Sequence, residues 1–325
     1  MNQIATETLR KRAQSGDARA LTALGKRLLL GLGTAPAPQE GYECLATAAA
    51  RGDGEAAAQL ALLAAWGVLR PHSWPDSLDY LLRAAELGWP PARRELQFLA
   101  RDDGTDWPEL RRRVDIAAWT ASPAARVLRQ APQIRAIEGF ATAAECDWLI
   151  GLARGSLRRA RIYRKDAEGY AEAGTRTNSE ADYTFGNADL VLRLVIERIA
   201  RAAGVSPQLF EVAKLLHYEP GQQFAPHCDF QEPATPALAR EVEKRGQRVA
   251  TVLVYLNDDY AGGETEFPRV GLRHRAATGD ALLFANVRPS GELDYDSLHA
   301  GLPPTRGVKW VLSQWIRDRP VVGGA

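Results

Sequence analysis

His227 and Asp229 stand two residues apart in HYEPGQQFAPHCDF. On a strand, side chains at that spacing share a face, so an imidazole and a carboxylate point to one place. His299, in DSLHAGLPP, can close beside them from a later strand. Two imidazoles and one carboxylate are the donor set that holds mononuclear Fe(II) on one face of an octahedron, leaving three positions for a co-substrate and O2. Lys309 opens the run KWVLSQWI, and period two places Lys309, Val311, Ser313 and Trp315 on one face. A lysine among apolar neighbours demands an anionic partner. Lysine is also scarce in the chain, six among 41 basic residues. The distal carboxylate of 2-oxoglutarate would supply that anion. Cys228 falls between the two ligands, where alternation turns it away from the metal as an inert thiol.

These residues need a sheet to position them. VAKLLHY, QFAPHCDF, RVATVLVYL, GETEF, DALLFA, SLHAG and VKWVLSQWI are short strands between glycine, proline and charged turns. Such a run fits a jelly-roll or a related double-stranded barrel. IRAIEGF precedes them as a further strand. ATAAECDWLIGLARG reads as a helix capped by Thr142, and ADLVLRLVIERIARAAG as a second, amphipathic helix. The glycine- and charge-rich stretch 163–178 is expected to lie over the site as a lid.

The first hundred residues have another period. Gly16, Gly52 and Gly88 are 36 apart, as are Ala20, Ala56 and Ala92, and Leu24, Leu60 and Leu96. YECLATAAARGD aligns with LDYLLRAAELGW without a gap. Each unit reads as a helix, a glycine-ended turn and a second helix closing at Gly31 or Gly67, with small residues permitting close approach. A fixed period of this length marks an α-solenoid. The pattern resembles the tetratricopeptide superfamily in an alanine- and glycine-rich form, which implies a surface that holds peptides or proteins. The expected division is a helical repeat domain over 1–104, a helical connector over 105–131 and an oxygenase domain over 132–325.

Composition narrows the classes. The chain has 325 residues, 46% hydrophobic and 25% charged, with a formal net charge of +1. No global field recruits nucleic acid or an anionic membrane. Three cysteines at unrelated spacings make neither a disulfide framework nor a zinc knuckle. The N-terminus lacks an apolar h-region, so a cytoplasmic setting is expected.

YEPGQQFAPHCD, RVATVLVYLND, GGETEFP, GDALLF and SLHAG with GVKWVLSQW, in that order, resemble the catalytic domain of prolyl 4-hydroxylases. The resemblance implies an α+β chain in which the α-helical repeat solenoid precedes a double-stranded β-helix (jelly-roll) oxygenase domain with flanking helices. It implies that His227, Asp229 and His299 bind iron and form the catalytic centre, while Lys309 binds the distal carboxylate. Tyr218 would hydrogen-bond the co-substrate, Tyr255 and Thr265 would face the same pocket, and Trp315 would wall it on the substrate side. Arg176, Glu211 and Arg248 resemble residues that touch a peptide substrate. Two departures bear on that substrate: Asn178 stands where the family often has serine, and Phe224 where an aromatic hydroxyl is common.

The implied cofactors are Fe(II), with 2-oxoglutarate and O2 as co-substrates and ascorbate as reductant. The implied reaction couples oxidative decarboxylation of 2-oxoglutarate to hydroxylation of a protein or peptide at proline. Asp229 favours hydroxylation over halogenation, since halogenating relatives lack that carboxylate. Lys309 and the neutral charge count against nucleic-acid demethylases, which hold 2-oxoglutarate by arginine. Hydroxylation of a free amino acid or a small peptide natural product is the alternative within the class. A non-catalytic peptide-binding scaffold is the alternative outside it, against which His227, Asp229, His299 and Lys309 stand intact.

Overall fold

A computed structural model describes residues 6–164 and 169–320, so part of the expected lid, 165–168, lies outside the described residues. The chain divides into two compact units. One takes the residues up to Thr120 together with Asp189–Leu194; the other takes Ala121–Ala188 and the chain from Val195 onward.

The helical unit shows why the period is 36. Helices Ala18–Leu30, Gly54–Trp66 and Pro90–Ala100 begin 36 residues apart, as do Pro38–Ala50 and Trp74–Glu86. Asp17 and Asp53 cap two of them by accepting from the backbone N–H of Ala20 and Ala56, at 3.0 and 2.8 Å. Gly16, Gly52 and Gly88 take φ of 93°, 91° and 83°, where a side chain would be strained. The repeating Ala20, Ala56, Ala92 and Leu24, Leu60, Leu96 are all buried. Gly25 and Gly41 bring their helices together: a Cβ on Gly25 would stand 2.8 Å from the Gly41 carbonyl oxygen.

The connector expected over 105–131 does not exist as a separate piece. Helices Trp107–Arg113 and Ile116–Thr120 belong to the helical unit, where the Trp119 indole N–H donates to Leu99 O at 2.9 Å. Strand Arg126–Arg129 instead pairs with Ile134–Ile137 at the edge of the large sheet. The units therefore part at Thr120, and helix-forming composition alone had concealed the strand.

Among the described residues the second unit contains two principal sheets. The larger runs, edge to edge, Arg126–Arg129, Ile134–Ile137, Ala281–Ala285, Arg248–Tyr255, Lys309–Arg317, Lys214–Tyr218, Ser179–Asp182 and Arg158–Arg159. The smaller runs Leu272–His274, Thr265–Phe267, His299–Gly301 and Phe224–His227. Both are antiparallel, and Tyr218, Tyr255, Phe267, Phe284 and Val311 share a buried cluster. This is the double-stranded β-helix. His299 opens its own strand, and a further short strand, Pro304–Arg306, lies between that one and the last. Helix Ala143–Ala153 carries the expected Thr142 cap, completed reciprocally by Glu145. Helix Pro236–Arg245, between Asp229 and the strand from Arg248, was not foreseen; its charged sequence starts at the Thr235 cap.

Candidate metal centre and co-substrate pocket

Strands Phe224–His227 and His299–Gly301 are neighbours in the smaller sheet, with His227 opposite His299 in register. That pairing gathers residues 72 apart, and Asp229 follows directly. The ligand atoms of His227, Asp229 and His299 lie within 4.8 Å of one another. His227 Nε2 is 3.5 Å from Asp229 Oδ1, and His299 Nε2 is 3.6 Å from Asp229 Oδ2. Each imidazole uses its other nitrogen on a carbonyl: His227 Nδ1 lies 2.9 Å from Ala225 O, and His299 Nδ1 lies 3.0 Å from Ser297 O. A carbonyl only accepts, so both Nδ1 atoms carry the proton and both Nε2 lone pairs face the centre.

Electrostatics agrees with that assignment. Burial, helped by His227, pushes His299 down to about 4, leaving the neutral imidazole that a metal needs. Burial works to raise the Asp229 carboxyl, but His299, His227 and the Thr251 hydroxyl together hold it far below the usual range. Two imidazoles with Nε2 turned inward and one carboxylate are a fitting site for Fe(II). The Phe224 ring stacks on His227 with centroids 3.4 Å apart and planes at 12°, fixing the imidazole plane. The Arg176 guanidinium lies 4.5 Å from the Phe224 centroid and donates to Glu180 at 2.8 Å.

Next to the triad an inner cavity is lined by Tyr218, Thr265, Lys309 and Ser313, among others. Lys309 is 2% exposed and donates to Gly263 O at 2.7 Å, with no carboxylate in ion-pair range among the described residues. Burial lowers it to about 7. An ammonium walled in with one carbonyl acceptor is matched to an incoming anion. Register places Tyr218 opposite Lys309, and burial pushes its phenol up to about 12, so it remains a donor. Tyr255 Oη and Thr265 Oγ1 are 2.7 Å apart on the same side. These positions suit a dicarboxylate whose far end meets Lys309.

Arg176, Glu211, Arg248 and Trp315 line a broad groove of about 910 Å³ beside the triad, and Arg176 and Trp315 line the inner cavity as well. Arg248 grips Glu211 through two hydrogen bonds, at 2.6 and 2.9 Å, and lies 3.8 Å from the Trp315 ring. Arg317, fully buried, donates to the same carboxylate at 2.7 Å. Trp315 is 8% exposed, and its indole N–H has no partner among the described residues. His227 and Asp229 line both groove and cavity. Cys228 lines the groove as well; burial raises its thiol to about 11, so it stays protonated.

Several groups of the site were not apparent in the sequence. Gly263 O anchors Lys309 through a backbone atom, which no residue type announces. Arg317 is brought to Glu211 by the bulge at the end of the last strand. Thr251 was legible in principle, since period two puts it with Tyr255 on the pocket face of Arg248–Tyr255.

A double-stranded β-helix carrying this triad beside a buried, unmatched lysine defines an Fe(II)- and 2-oxoglutarate-dependent dioxygenase. Residues 213–317 match the 2OG-Fe(II) oxygenase superfamily. The chain belongs to the prolyl 4-hydroxylase family within it: it is 31% identical over 242 residues to probable prolyl 4-hydroxylase 7 of Arabidopsis thaliana, covering 68% of this chain and 74% of that one. Among solved structures it is similar to the viral collagen prolyl hydroxylase of Paramecium Bursaria Chlorella virus-1, at 26% identity and a TM-score of 0.44, over 57% of this chain and 96% of that one. A Sel1 repeat protein from Oxalobacter formigenes is similar at 19% identity and a TM-score of 0.28, over 35% of this chain and 51% of that one.

Proposed function

We propose that this enzyme hydroxylates proline in a protein or peptide that runs along the outer groove. The carrying observation is that two spaces meet at His227 and Asp229: an inner cavity holding Lys309, and a groove of about 910 Å³. The groove is larger than a free amino acid requires. The names of the curated relatives support proline as the target. Bound iron and 2-oxoglutarate supply the oxidation, in which decarboxylation to succinate drives insertion of oxygen into a C–H bond. The chain's own residues orient and enclose: Lys309 and Tyr218 fix the far carboxylate, while Phe224, Arg176 and Trp315 close the site against water. Arg248, held by Glu211, positions the substrate backbone.

The helical unit recruits that substrate. Its cavity of about 680 Å³ is lined by Arg19, Lys26, Arg27, Asp53, Glu55 and Trp89, among others. Lys26 is paired with Glu55 at 2.7 Å, so the positive charge offered to acidic side chains of a polypeptide comes from Arg19 and Arg27. Lysate proteins incubated with enzyme, iron, ascorbate and 2-oxoglutarate should gain one oxygen atom at proline, read by mass spectrometry. Oxygen gained only on free amino acids, or at residues other than proline, would refute the assignment. Reversing Arg19 and Arg27 to glutamate should raise KM for the protein substrate and leave a short peptide unaffected. Equal effects on both would remove the recruiting role.

A further inference from the structure

We propose that Thr251, oriented by Asn286, keeps the Asp229 carboxylate a one-oxygen metal ligand and so preserves the coordination position that the co-substrate takes. The proposal rests on the Fe(II) and 2-oxoglutarate assignment. An octahedral ion has six positions, and a two-point keto-acid ligand plus O2 require three of them. Two histidines and one carboxylate oxygen use the other three. A carboxylate that presented both oxygens would take a fourth and compete with the co-substrate.

The chain has a device against that. The Thr251 hydroxyl lies 2.7 Å from Asp229 Oδ2, and Asn286 Nδ2 donates to Thr251 Oγ1 at 3.0 Å. An amide N–H₂ only donates and an ionised carboxylate only accepts, so the run has one direction: Asn286 to Thr251 to Asp229. Both Thr251 and Asn286 are 0% exposed, so water cannot replace either donor. The backbone fixes the pair as well, because Thr251 stands opposite Phe284 in the large sheet and the Asn286 N–H donates to Val249 O at 2.8 Å. Both carboxylate oxygens face a ligand nitrogen, Oδ1 at 3.5 Å from His227 Nε2 and Oδ2 at 3.6 Å from His299 Nε2, so the Thr251 hydroxyl on Oδ2 is what distinguishes them. A hydroxyl proton on Oδ2 draws charge from that oxygen and opposes rotation of the carboxylate. Thr251 and Asn286 are therefore positioning residues, acting through Asp229.

The test uses the full chain with Thr251→Val, which keeps the branched shape, Thr251→Ser, which keeps the hydroxyl, and Asn286→Leu. Anaerobic calorimetry would measure Mn(II) binding, then 2-oxoglutarate binding at saturating Mn(II), with circular dichroism to confirm folding. Thr251→Val should bind Mn(II) as well as the wild type or better, yet lose about tenfold or more in 2-oxoglutarate affinity, the scale of one hydrogen bond to a charged group. Thr251→Ser should restore it, and Asn286→Leu should fall between. Weaker Mn(II) binding with unchanged 2-oxoglutarate affinity would overturn the proposal, since Thr251 would then merely hold the ligand in place. No change in either would overturn it too. A wild-type protein that binds Mn(II) but no 2-oxoglutarate would overturn the co-substrate assignment and this proposal with it.

Discussion

Replacing Lys309 with methionine should leave metal binding intact and nearly abolish co-substrate binding. Methionine fills the same space, so the change isolates the charge. The wild-type ammonium is 2% exposed and meets one carbonyl oxygen, at 2.7 Å, so an incoming carboxylate forms its main charge-assisted contact. Removing one partner of such a desolvated pair costs about 2–5 kcal/mol. That is roughly 30- to 4,000-fold in Kd for 2-oxoglutarate. Proton linkage sharpens the test, because burial holds Lys309 at about 7 in the ligand-free pocket. Binding an anion raises that value, so the complex takes up a proton. Below about pH 7 the lysine is already charged and affinity should be flat. Above it, wild-type affinity should fall by up to about tenfold per pH unit, until the pKa of the complex is reached. The methionine variant should show no such slope. Anaerobic calorimetry with Mn(II), between about pH 6 and pH 9, reads both effects. A variant within twofold of wild type would mean the carboxylate is anchored elsewhere. An identical slope in both proteins would assign the titration to another group.

His227→Ala and Asp229→Ala should each abolish metal binding and succinate formation while far-UV circular dichroism persists; full turnover in either would sink the triad. Glu211→Ala should destabilise the fold by about 3–5 kcal/mol in denaturant titration, because it strands the buried Arg317 and its neighbour Arg248. Burial works to raise the Glu211 carboxyl, yet Arg248 and Arg317 lower it overall. The wild type should therefore lose that stability as pH falls below the ordinary carboxylate range, whereas the variant should lose less. Gly25→Ala should cost about 1–3 kcal/mol, because its Cβ meets the Gly41 carbonyl oxygen at 2.8 Å, and 2-oxoglutarate affinity should not move.

The repeat was legible because helix packing is local. Residues 36 apart meet equivalent neighbours in each turn of the array, so Gly16, Gly52, Gly88 and the buried alanines and leucines had to recur in order. The triad and Lys309 were legible for another reason: metal and charge chemistry admits few residue types, and strand period two says which of them share a face. The sequence could not reveal what depends on register between distant strands. Opposed pairing of His227 with His299, and of Lys309 with Tyr218, turns four residues into one site. The same sheet geometry lays Thr251 against Asp229, Gly263 O against Lys309 and Arg317 against Glu211. Threonine, a glycine carbonyl and a terminal arginine carry no chemical signature of their own, so position alone gives them a role, and position is set only when the two sheets close.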